Sequence, residues 1–351
     1  MKITRVKRTT ILLMIVCCLL GLSNGQLLFL PQAVAESIQS TGVPATPPYI
    51  ASDGSIKSGY GSYTWPTGET YEGEWENGII QGQGVLTWPG IGSYSGSFSN
   101  GVRSGEGTFT WQYDDEPEVG APVSFSGQWL NDAIGNTGIF VYYNVGTYSG
   151  DFNQQIRSGQ GSFAWLNGDT YSGSWMNDQI NGEGTMTLAD GTVLTGTFLK
   201  GRLMTGTMTY NVTNGLASRR VVNGTLDATV TITYSDNTIV RGRLVNDVFS
   251  GNVTITYPDG AVYSGTILDG KKSGRGTYTW INGAHYVGAW ENDTMNGAGI
   301  YYYSTQEDKY YLKGNFVNGL PSGSLTYVSE QNIKYTTVWE NGECISITPG
   351  D

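Results

Sequence analysis

The chain has 351 residues, of which 14% are charged and 12% are aromatic, and 51 of them are glycines. Its formal net charge of −11 argues against nucleic acid as a partner, because phosphate backbones attract basic surfaces. The same negative net charge argues against binding of anionic lipids through a cluster of basic residues. No stretch has a long helical periodicity of apolar residues, so the sequence predicts an all-β protein.

Residues 1–35 have the features of an export signal. A basic start precedes an apolar run from Ile11 to Leu22, and Ala33-Val34-Ala35 supplies an Ala-x-Ala cleavage site. Cleavage is the preferred interpretation. A retained signal anchor is the alternative, because apolar residues resume at 27–30 and about twenty apolar residues span a bilayer. Either outcome predicts an extracytoplasmic location, secreted or membrane-anchored.

Removal of this leader would take away four of the 19 basic residues and no acidic residue, so the net charge would become 15 minus 30, or −15. Residues 36–58 contain three prolines among several Ser, Thr and Gly, which predicts an extended linker. We expect a repeat array over 59–343 and a short tail over 344–351. Once the leader is gone Cys344 is alone, which favours a free thiol over the alternative of an intermolecular disulfide.

One pattern recurs down the chain. Its clearest copy begins Tyr71-Glu-Gly73-Glu-Trp75 and continues through Gly82-Gln-Gly84 to Trp88-Pro89. The first large apolar residue of each copy is here called its anchor. Twelve anchors follow from the sequence: Tyr71, Tyr94, Phe125, Tyr148, Tyr171, Leu194, Val222, Val240, Tyr263, Tyr286, Leu312 and Tyr335.

Successive anchors are 23, 31, 23, 23, 23, 28, 18, 23, 23, 26 and 23 residues apart. A period of this size predicts a repeat architecture in which each unit contacts only its neighbours. The interval of 31 reflects an insertion at 112–122, and the intervals of 28 and 18 predict an irregular stretch at 211–240.

Each repeat is predicted to form a β-hairpin. Tyr71, Gly73 and Trp75 share parity and would point to one face of a sheet, whereas the glutamates between them point to the other. Asn77-Gly78 supplies a tight turn, because Asn-Gly tolerates positive φ. The same turn is assigned to similar dipeptides further along, including Asn167-Gly168, Asp190-Gly191, Asp259-Gly260 and Asn282-Gly283.

Glycines inside strands need a reason, since they remove packing and add chain entropy that folding must overcome. Our hypothesis is that tyrosine and tryptophan rings of one hairpin lie flat over the bare backbone of glycines in the next hairpin. A Cβ at those glycines would block the ring.

These residues resemble the MORN (membrane occupation and recognition nexus) repeats, whose units begin Tyr-x-Gly-x-Trp and continue through Gly-x-Gly to Trp-Pro-x-Gly. The resemblance covers roughly 59–342. It implies an elongated, twisted antiparallel meander of tandem hairpins in a single-layer sheet, with no implied reaction. The residues expected to carry the structural repeat are Tyr71, Gly73, Trp75, Gly82, Gly84, Trp88, Tyr94, Gly96, Tyr148, Gly150, Tyr171, Gly173, Trp175, Tyr263, Gly265, Tyr286, Gly288 and Trp290.

Residues with catalytic potential are sparse. The single histidine, His285, can form neither a Ser-His-Asp triad nor a multi-histidine zinc site by itself, and its parity places it on the solvent face. The acidic insertion around residues 113–118 lacks the alternating ligand order of a calcium loop. Paired carboxylates such as Glu72 and Glu74 would need a cleft that separates their pKa values. We therefore predict no enzyme activity, no metal and no cofactor.

The preferred function is a non-catalytic, exported scaffold that mediates protein–protein or membrane-associated interactions. Its partner is an unknown protein or a membrane surface, and a homodimer through the repeats is possible. Leftover rows of Tyr and Trp could grip an apolar segment. The alternative is a carbohydrate or cell-wall binding module, in which exposed aromatic rings stack on sugars or quaternary ammonium groups.

Overall fold

A computed structural model describes most of the predicted repeat array. The predicted leader at 1–35 and most of the predicted linker lie outside the described residues. In those residues the chain forms twenty-six strands and no helix, which confirms the all-β prediction. Among them there is also no helix of the length and apolar character needed to cross a bilayer. The described residues are 42–44, 50, 55–56, 58–303 and 309–350.

The described chain divides into two compact units, the first ending at Gly206 and the second beginning at Thr207. The strands of the first unit form an antiparallel meander in which each pairs with the next along the chain. These strands are β1 Gly59–Thr64, β2 Thr70–Glu76, β3 Ile79–Trp88, β4 Gly92–Ser99, β5 Val102–Trp111, β6 Pro122–Leu130, β7 Ala133–Tyr142, β8 Gly146–Asn153, β9 Ile156–Trp165, β10 Thr170–Met176, β11 Gln179–Thr187 and β12 Val193–Leu199.

Strand β13, Arg202–Val212, contains the point at which the units divide. The second unit is also an antiparallel meander in which neighbouring strands pair in chain order, except that β23 and β24 both pair with β22. Its strands are β14 Gly215–Val222, β15 Thr225–Tyr234, β16 Ile239–Val245, β17 Val248–Thr256, β18 Val262–Leu268, β19 Lys271–Thr279, β20 His285–Glu291, β21 Thr294–Tyr302, β22 Tyr311–Val317, β23 Leu320–Pro321, β24 Gly323–Val328, β25 Lys334–Glu340 and β26 Glu343–Pro349.

Two-residue turns with positive φ join the strands of each hairpin. Asn77 and Gly78 have φ values of 51° and 78°, which is the geometry of the Asn-Gly turn that the sequence predicts. Other hairpins reach the same geometry without glycine, as in Asn131 and Asp132 with φ values of 49° and 66°. Asn and Asp tolerate this region because their short polar side chains bond locally.

The assignment of four further dipeptides to this turn is wrong. Gly168 donates to the Trp165 carbonyl, and Trp165 donates to the Asp169 carbonyl, in the connection from β9 to β10. This connection joins one hairpin to the next, so it lies at the other end of the strands. The same correction applies to Asp190-Gly191, Asp259-Gly260 and Asn282-Gly283, each of which closes an equivalent connection.

One face of each meander is buried and the other is solvated. In β2, Tyr71, Gly73 and Trp75 are buried and the residues between them are exposed, as their shared parity predicts. The buried face carries the anchors, and in the first unit these pack as one continuous series of rings and aliphatic side chains. Burial of this apolar surface is the main source of stability for such a sheet, at about 25 cal/mol per Å².

The period of 23 residues persists where the sequence suggests irregularity. Strand β14 pairs with β15 so that Ala217 faces Ile232, the register that Tyr71 has with Leu86. Ala217 is 0% exposed, whereas the predicted anchor Val222 is 46% exposed beside the turn. The anchor is therefore Ala217, and the prediction of Val222 with intervals of 28 and 18 is wrong. Leu194, Ala217 and Val240 are 23 residues apart.

The predicted tail at 344–351 also needs correction, because β26 pairs with β25 through Thr348 and Ile347. Sequence alone gave no sign of this strand, since the repeat pattern has decayed there. Cys344 lies in β26 as an exposed free cysteine. The insertion at 112–122 is accommodated in the connection between β5 and β6, outside the paired strands.

Candidate interaction surface

The buried face is built from rings that lie on glycines. A Cβ at Gly84 would come within 2.4 Å of the Tyr71 ring, and one at Gly73 would come within 2.3 Å of its hydroxyl oxygen. Gly73 and Gly84 face each other across β2 and β3. The same close approach recurs under Tyr94, Tyr148, Tyr171, Tyr263 and Tyr286.

These glycines belong to the hairpin that carries the tyrosine. Our hypothesis placed the ring over glycines of the next hairpin, so it is wrong in direction for tyrosine. The hydroxyl fixes the ring by donating to the carbonyl three residues further along, as from Tyr71 to Glu74 at 3.0 Å. Five other anchors make this bond, at 2.8 to 3.1 Å: Tyr94, Tyr148, Tyr171, Tyr263 and Tyr286.

The second ring of the motif links neighbouring hairpins. Trp75 packs edge-on against Tyr71 at 5.2 Å between ring centroids, and its indole N–H donates to the Gly61 carbonyl of the preceding strand at 3.2 Å. Trp129, Trp175 and Trp290 donate in the same way to Gly107, Gly161 and Gly276. Tryptophan therefore contacts the preceding hairpin, again the reverse of the predicted direction.

The two glycines of Gly-x-Gly have different tasks. Gly84 faces the tyrosine ring, whereas Gly82 has a φ of 67° in a β-bulge, where the pairing shifts between Gly73 and Trp75. Positive φ at a bulge is a position that favours glycine. Gly96, Gly150, Gly173, Gly265 and Gly288 lie at the position of Gly73, each paired with a glycine of the adjoining strand.

The packing leaves little aromatic surface in the first unit. Tyr71, Trp75 and Trp88 are all buried, and burial raises the pKa of Tyr171 to about 12. Desolvation raises it because the phenolate loses its hydration, and a backbone hydrogen bond partly opposes that effect. The expectation of leftover tyrosine and tryptophan rows is wrong for these residues, and their burial gives no support to sugar stacking.

Two arginines lie among the rings of the buried face, and the repeat pattern of the sequence did not predict them. Arg103 is 0% exposed and lies 4.5 Å from the centroid of Trp129. Its Nε donates to Asp132 Oδ1 at 3.1 Å, and the backbone N–H of Arg103 donates to the same oxygen at 2.9 Å. Burial lowers the pKa of Arg103, and Asp132 opposes this by favouring the charged form. Arg157 and Asp178 repeat the arrangement at 3.0 Å.

The sequence does contain a signal for these pairs. Three hairpins have an aliphatic residue at the arginine position and a glycine in the turn of the next hairpin: Ile80 with Gly101, Ile180 with Gly201 and Leu203 with Gly224. Ile134 and Leu226 are followed instead by Gln155 and Asp247. Where arginine replaces isoleucine, aspartate replaces that glycine. The two changes compensate each other, because an arginine buried among rings needs a carboxylate within hydrogen-bond reach.

The residues examined for chemistry are dispersed. His285 is half-buried and stacks on Tyr302 at 4.5 Å, so it is not a plain solvent-face residue. Glu72 and Glu74 lie on the exposed face of β2. In the acidic insertion the Tyr143 hydroxyl donates to Glu116. Within the described parts of the chain, no three His, Cys, Asp or Glu side chains are grouped as a metal site would need.

Exposed aliphatic side chains mark the turns within hairpins. The residue just before the turn, five after the anchor, is Leu130, Met176 or Leu199 in three hairpins of the first unit. These three side chains are 49% to 65% exposed. They form what we call the aliphatic turn row of that unit. One hairpin is two strands wide, so Met176 and Leu199 are separated by about 10 Å. Leu130 lies two hairpins from Met176, or about 20 Å, because Asn153 occupies the position between them.

The second unit has its own aliphatic turn row at the same repeat position. It consists of Val222, Val245, Leu268 and Val317, which are 42% to 60% exposed. Acidic side chains are exposed beside the turns, among them Glu76, Asp269 and Glu291. The side chains exposed at these turns are thus aliphatic and acidic.

Comparison with known proteins agrees with this geometry. The sequence profile of the MORN repeat matches residues 54–70, 71–90, 94–112, 148–170, 171–193, 263–285 and 286–307. MORN repeats are detected at these seven positions of the chain. The profile matches neither the hairpin anchored by Phe125 nor those anchored by Leu194, Ala217 and Val240. In the hairpins anchored by Phe125, Ala217 and Val240 the structure nevertheless has the same antiparallel strand pairs.

Two solved structures show only a weak likeness. One is the E1021V mutant of the TCP10 domain of Danio rerio CPAP, with 12% identity, coverage of 82% of this chain and 99% of that chain, and a TM-score of 0.19. The other is a streptogramin B lyase, with 12% identity, coverage of 74% and 80%, and a TM-score of 0.13. A search of curated proteins found no match. Such TM-scores carry no argument about function.

Proposed function

We propose that the chain is a non-catalytic repeat scaffold whose aliphatic turn rows bind a partner protein. The observation that carries the proposal is the exposed aliphatic side chain that recurs at one repeat position in both units. Contiguous exposed apolar surface marks interaction sites, whereas scattered apolar residues need no explanation. MORN repeats are generally modules for protein or membrane interactions, which supports this role.

A protein partner suits the turn rows better than an anionic membrane. Exposed acidic residues, Asp269 next to Leu268 and Glu76 and Glu291 at the row position of other hairpins, would repel lipid phosphates, and the whole chain is acidic. A partner segment that offers aliphatic side chains flanked by Lys or Arg would be complementary to both features. A second copy of the chain would bring acidic turns against acidic turns, so the homodimer is the less favoured arrangement.

Export belongs to the same proposal and rests on the sequence of residues 1–35 alone. In that case the scaffold would act outside the cytosol, either secreted or held at a membrane by the uncleaved leader. Fractionation of the producing cells, followed by sequencing of the mature N-terminus, distinguishes the two. Recovery of the uncleaved chain in the cytosolic fraction would refute this part.

Photo-crosslinking tests the turn rows directly. A photoreactive residue replaces Leu199, and a matched control replaces Leu166, which is 70% exposed in a connection at the other end of the strands. In the producing cells we expect one protein to be crosslinked through Leu199 and through Met176, but not through Leu166. Equal yields at Leu199 and Leu166, or no protein adduct at either, would contradict the proposal.

Two further measurements separate the other occupants. Flotation of the purified full chain with phosphatidylcholine–phosphatidylserine vesicles, abolished by Leu199→Ser but unchanged by Leu166→Ser, would assign the row to a membrane instead. Sedimentation equilibrium that shows a dimer sensitive to the same substitution would assign it to a second copy. Either result would overturn the choice of a protein partner.

A further inference from the structure

A cavity of about 200 Å³ lies in the second unit. The role inferred for it is independent of the role proposed for the aliphatic turn rows. It is lined by residues of four consecutive hairpins. The lining consists of Tyr234, Thr238, Val240, Ile255, Tyr257, Gly270, Lys272 and Asp293.

The cavity lies where Lys272 occupies the repeat position of Arg103 and Arg157, nine residues after its anchor. A lysine side chain fills less space than an arginine side chain does, which leaves room beside it. Val240, the anchor of the preceding hairpin, does not add to this room, because Val253 fills the position that glycine has in the hairpins with a tyrosine anchor.

Lys272 lies among aromatic rings as the two arginines do. Its Nζ is 5.0 Å from the centroids of Tyr278 and Trp290 and 5.6 Å from those of Tyr257 and Tyr263. The ammonium donates to the Tyr257 hydroxyl at 3.4 Å. The rings hold the cation by its attraction to their faces, so it stays in place beside the cavity.

The carboxylate of Asp293 is engaged differently from that of Asp132. At Arg103 the aspartate accepts from both the backbone N–H and the side-chain Nε. At Lys272 the Asp293 Oδ1 accepts from the backbone N–H at 2.8 Å, while the ammonium is directed to Tyr257. A cation and an anion therefore both line the cavity and have hydrogen-bonding capacity left for a ligand.

The two sides of the cavity differ in polarity. Val240, Ile255 and Tyr234 are buried, so one side is apolar. Asp293 is an exposed turn residue, so the charged side is open to solvent. Burial lowers the pKa of Lys272, and Asp293 partly offsets this. A ligand anion would strengthen the charged state of the lysine in the same way as Asp293 does.

We infer that this cavity binds a small zwitterion with an apolar tail, specifically an apolar α-amino acid. The ligand carboxylate accepts from the Lys272 ammonium, and the ligand ammonium donates to Asp293. The tail lies against the accessible edges of Tyr234 and Ile255. A plain carboxylate would be repelled by Asp293 and a plain amine by Lys272, so both charges are needed.

Calorimetric titration of the full chain with L-leucine tests the inference. We expect saturable binding, and at least tenfold weaker binding for isovalerate and for isoamylamine, which each lack one charge. Glycine should also bind at least tenfold more weakly, because it lacks the tail. No saturable leucine binding, or equal affinity for isovalerate, would overturn the proposal.

Lys272→Arg is a matched variant, because it introduces the residue that the chain has at the same repeat position in Arg103 and Arg157. The guanidinium should fill the cavity and pair with Asp293 as Arg103 pairs with Asp132, so we expect leucine binding to be lost while the melting temperature stays the same or rises. Asp293→Asn keeps the shape and should weaken leucine tenfold or more but leave isovalerate unaffected or stronger. A Lys272→Arg variant that folds and binds leucine like the original chain would refute the assignment.

Discussion

The contact between an anchor ring and the glycine beneath it gives a sharp prediction. Gly84→Val would place side-chain atoms within 2.4 Å of the Tyr71 ring, far inside the ordinary contact range of 3.4 to 4 Å. The ring has no free space to enter, because Trp75 and Phe98 pack on it edge-on at 5.2 and 5.3 Å. It must therefore leave its site.

Expulsion of the ring costs the burial of a large side chain, about 2–3 kcal/mol, and the hydroxyl bond to Glu74, about 1 kcal/mol. We expect Gly84→Val to destabilise the hairpin by about 3–4 kcal/mol. Tyr71→Val alone should cost about 2–4 kcal/mol through the cavity that it leaves.

The double variant should cost little more than Tyr71→Val. The chain already contains this combination, because the anchor Val240 belongs to a hairpin in which Gly242 faces Val253. In the double variant a valine at 71 and a valine at 84 would pack in the same manner. The expected coupling between the two substitutions is about 2–3 kcal/mol, in the range measured for residues in contact.

Amide hydrogen exchange measures these costs locally. The free energy of opening is read from the amides of β2 and β3, and the amides of β8 and β9 serve as an internal control, since repeat units contact only their neighbours. Additive costs, with a coupling below about 0.5 kcal/mol, would show that ring and glycine do not exclude each other and would refute the reasoning.

Three further predictions follow from the buried charge, the buried phenols and the turns. Asp132→Ala should destabilise the protein by about 3–5 kcal/mol in urea unfolding, because it leaves Arg103 buried without its anion. The double variant Arg103→Ile with Asp132→Gly should recover all of that stability. If it does not, the two residues do not compensate for each other as proposed. The pKa of Tyr171 is about 12 in the folded chain and 10.0 for an unperturbed tyrosine, so the stability that its burial confers is complete below pH 10 and is lost as the pH rises toward 12. Across that range the urea midpoint of unfolding should fall as tyrosinate absorbance rises. A midpoint that does not change with pH would contradict this prediction. Asn100→Val should lower the local stability measured by hydrogen exchange by about 1–2 kcal/mol, because φ at Asn100 is 49°. Asn100→Gly should be tolerated. Equal costs for the two variants would count against the assignment of Asn100 to the hairpin turn.

The period of the anchors was sufficient to predict the class, the hairpins and the buried face. It failed at β14 for a physical reason. Ala217 is a small residue followed by Arg219 rather than glycine, so it does not look like an anchor, whereas Val222-Asn-Gly224-Thr-Leu226 imitates the motif at the turn. Only the strand pairing, which places Ala217 opposite Ile232, separates the two.

Size matching across the strands explains which substitutions the anchor tolerates. The aromatic anchors other than Tyr335 face glycines. The anchors Ala217, Val240 and Leu312 belong instead to hairpins in which the adjoining strand offers Val230, Val253 or Leu325. The sequence alone suggests degenerate copies of the repeat at these hairpins. Across the two strands, however, a larger residue opposite compensates for the smaller anchor. This relation could be predicted only once the register was known, since the matched residues lie on different strands.

The candidate interaction surface was harder to predict than the fold. Periodicity identifies the residues that face inward, and the large aromatic residues proved to be buried rather than available. The aliphatic turn rows follow from residues that the repeat motif does not specify, such as Leu130 and Leu199. The Arg103–Asp132 pair joins residues 29 apart in sequence, so it too depended on the pairing of strands.

The indole bonds give the array a polarity. Four tryptophans, Trp75, Trp129, Trp175 and Trp290, each donate to a carbonyl of the hairpin before them and not to one of the hairpin after them. Shortening from the C-terminal side would remove donors together with their hairpins and leave each remaining one of these four indoles with its acceptor. Shortening from the N-terminal side would strip the first surviving tryptophan of its acceptor, so matched deletions from opposite sides should differ in their tolerance.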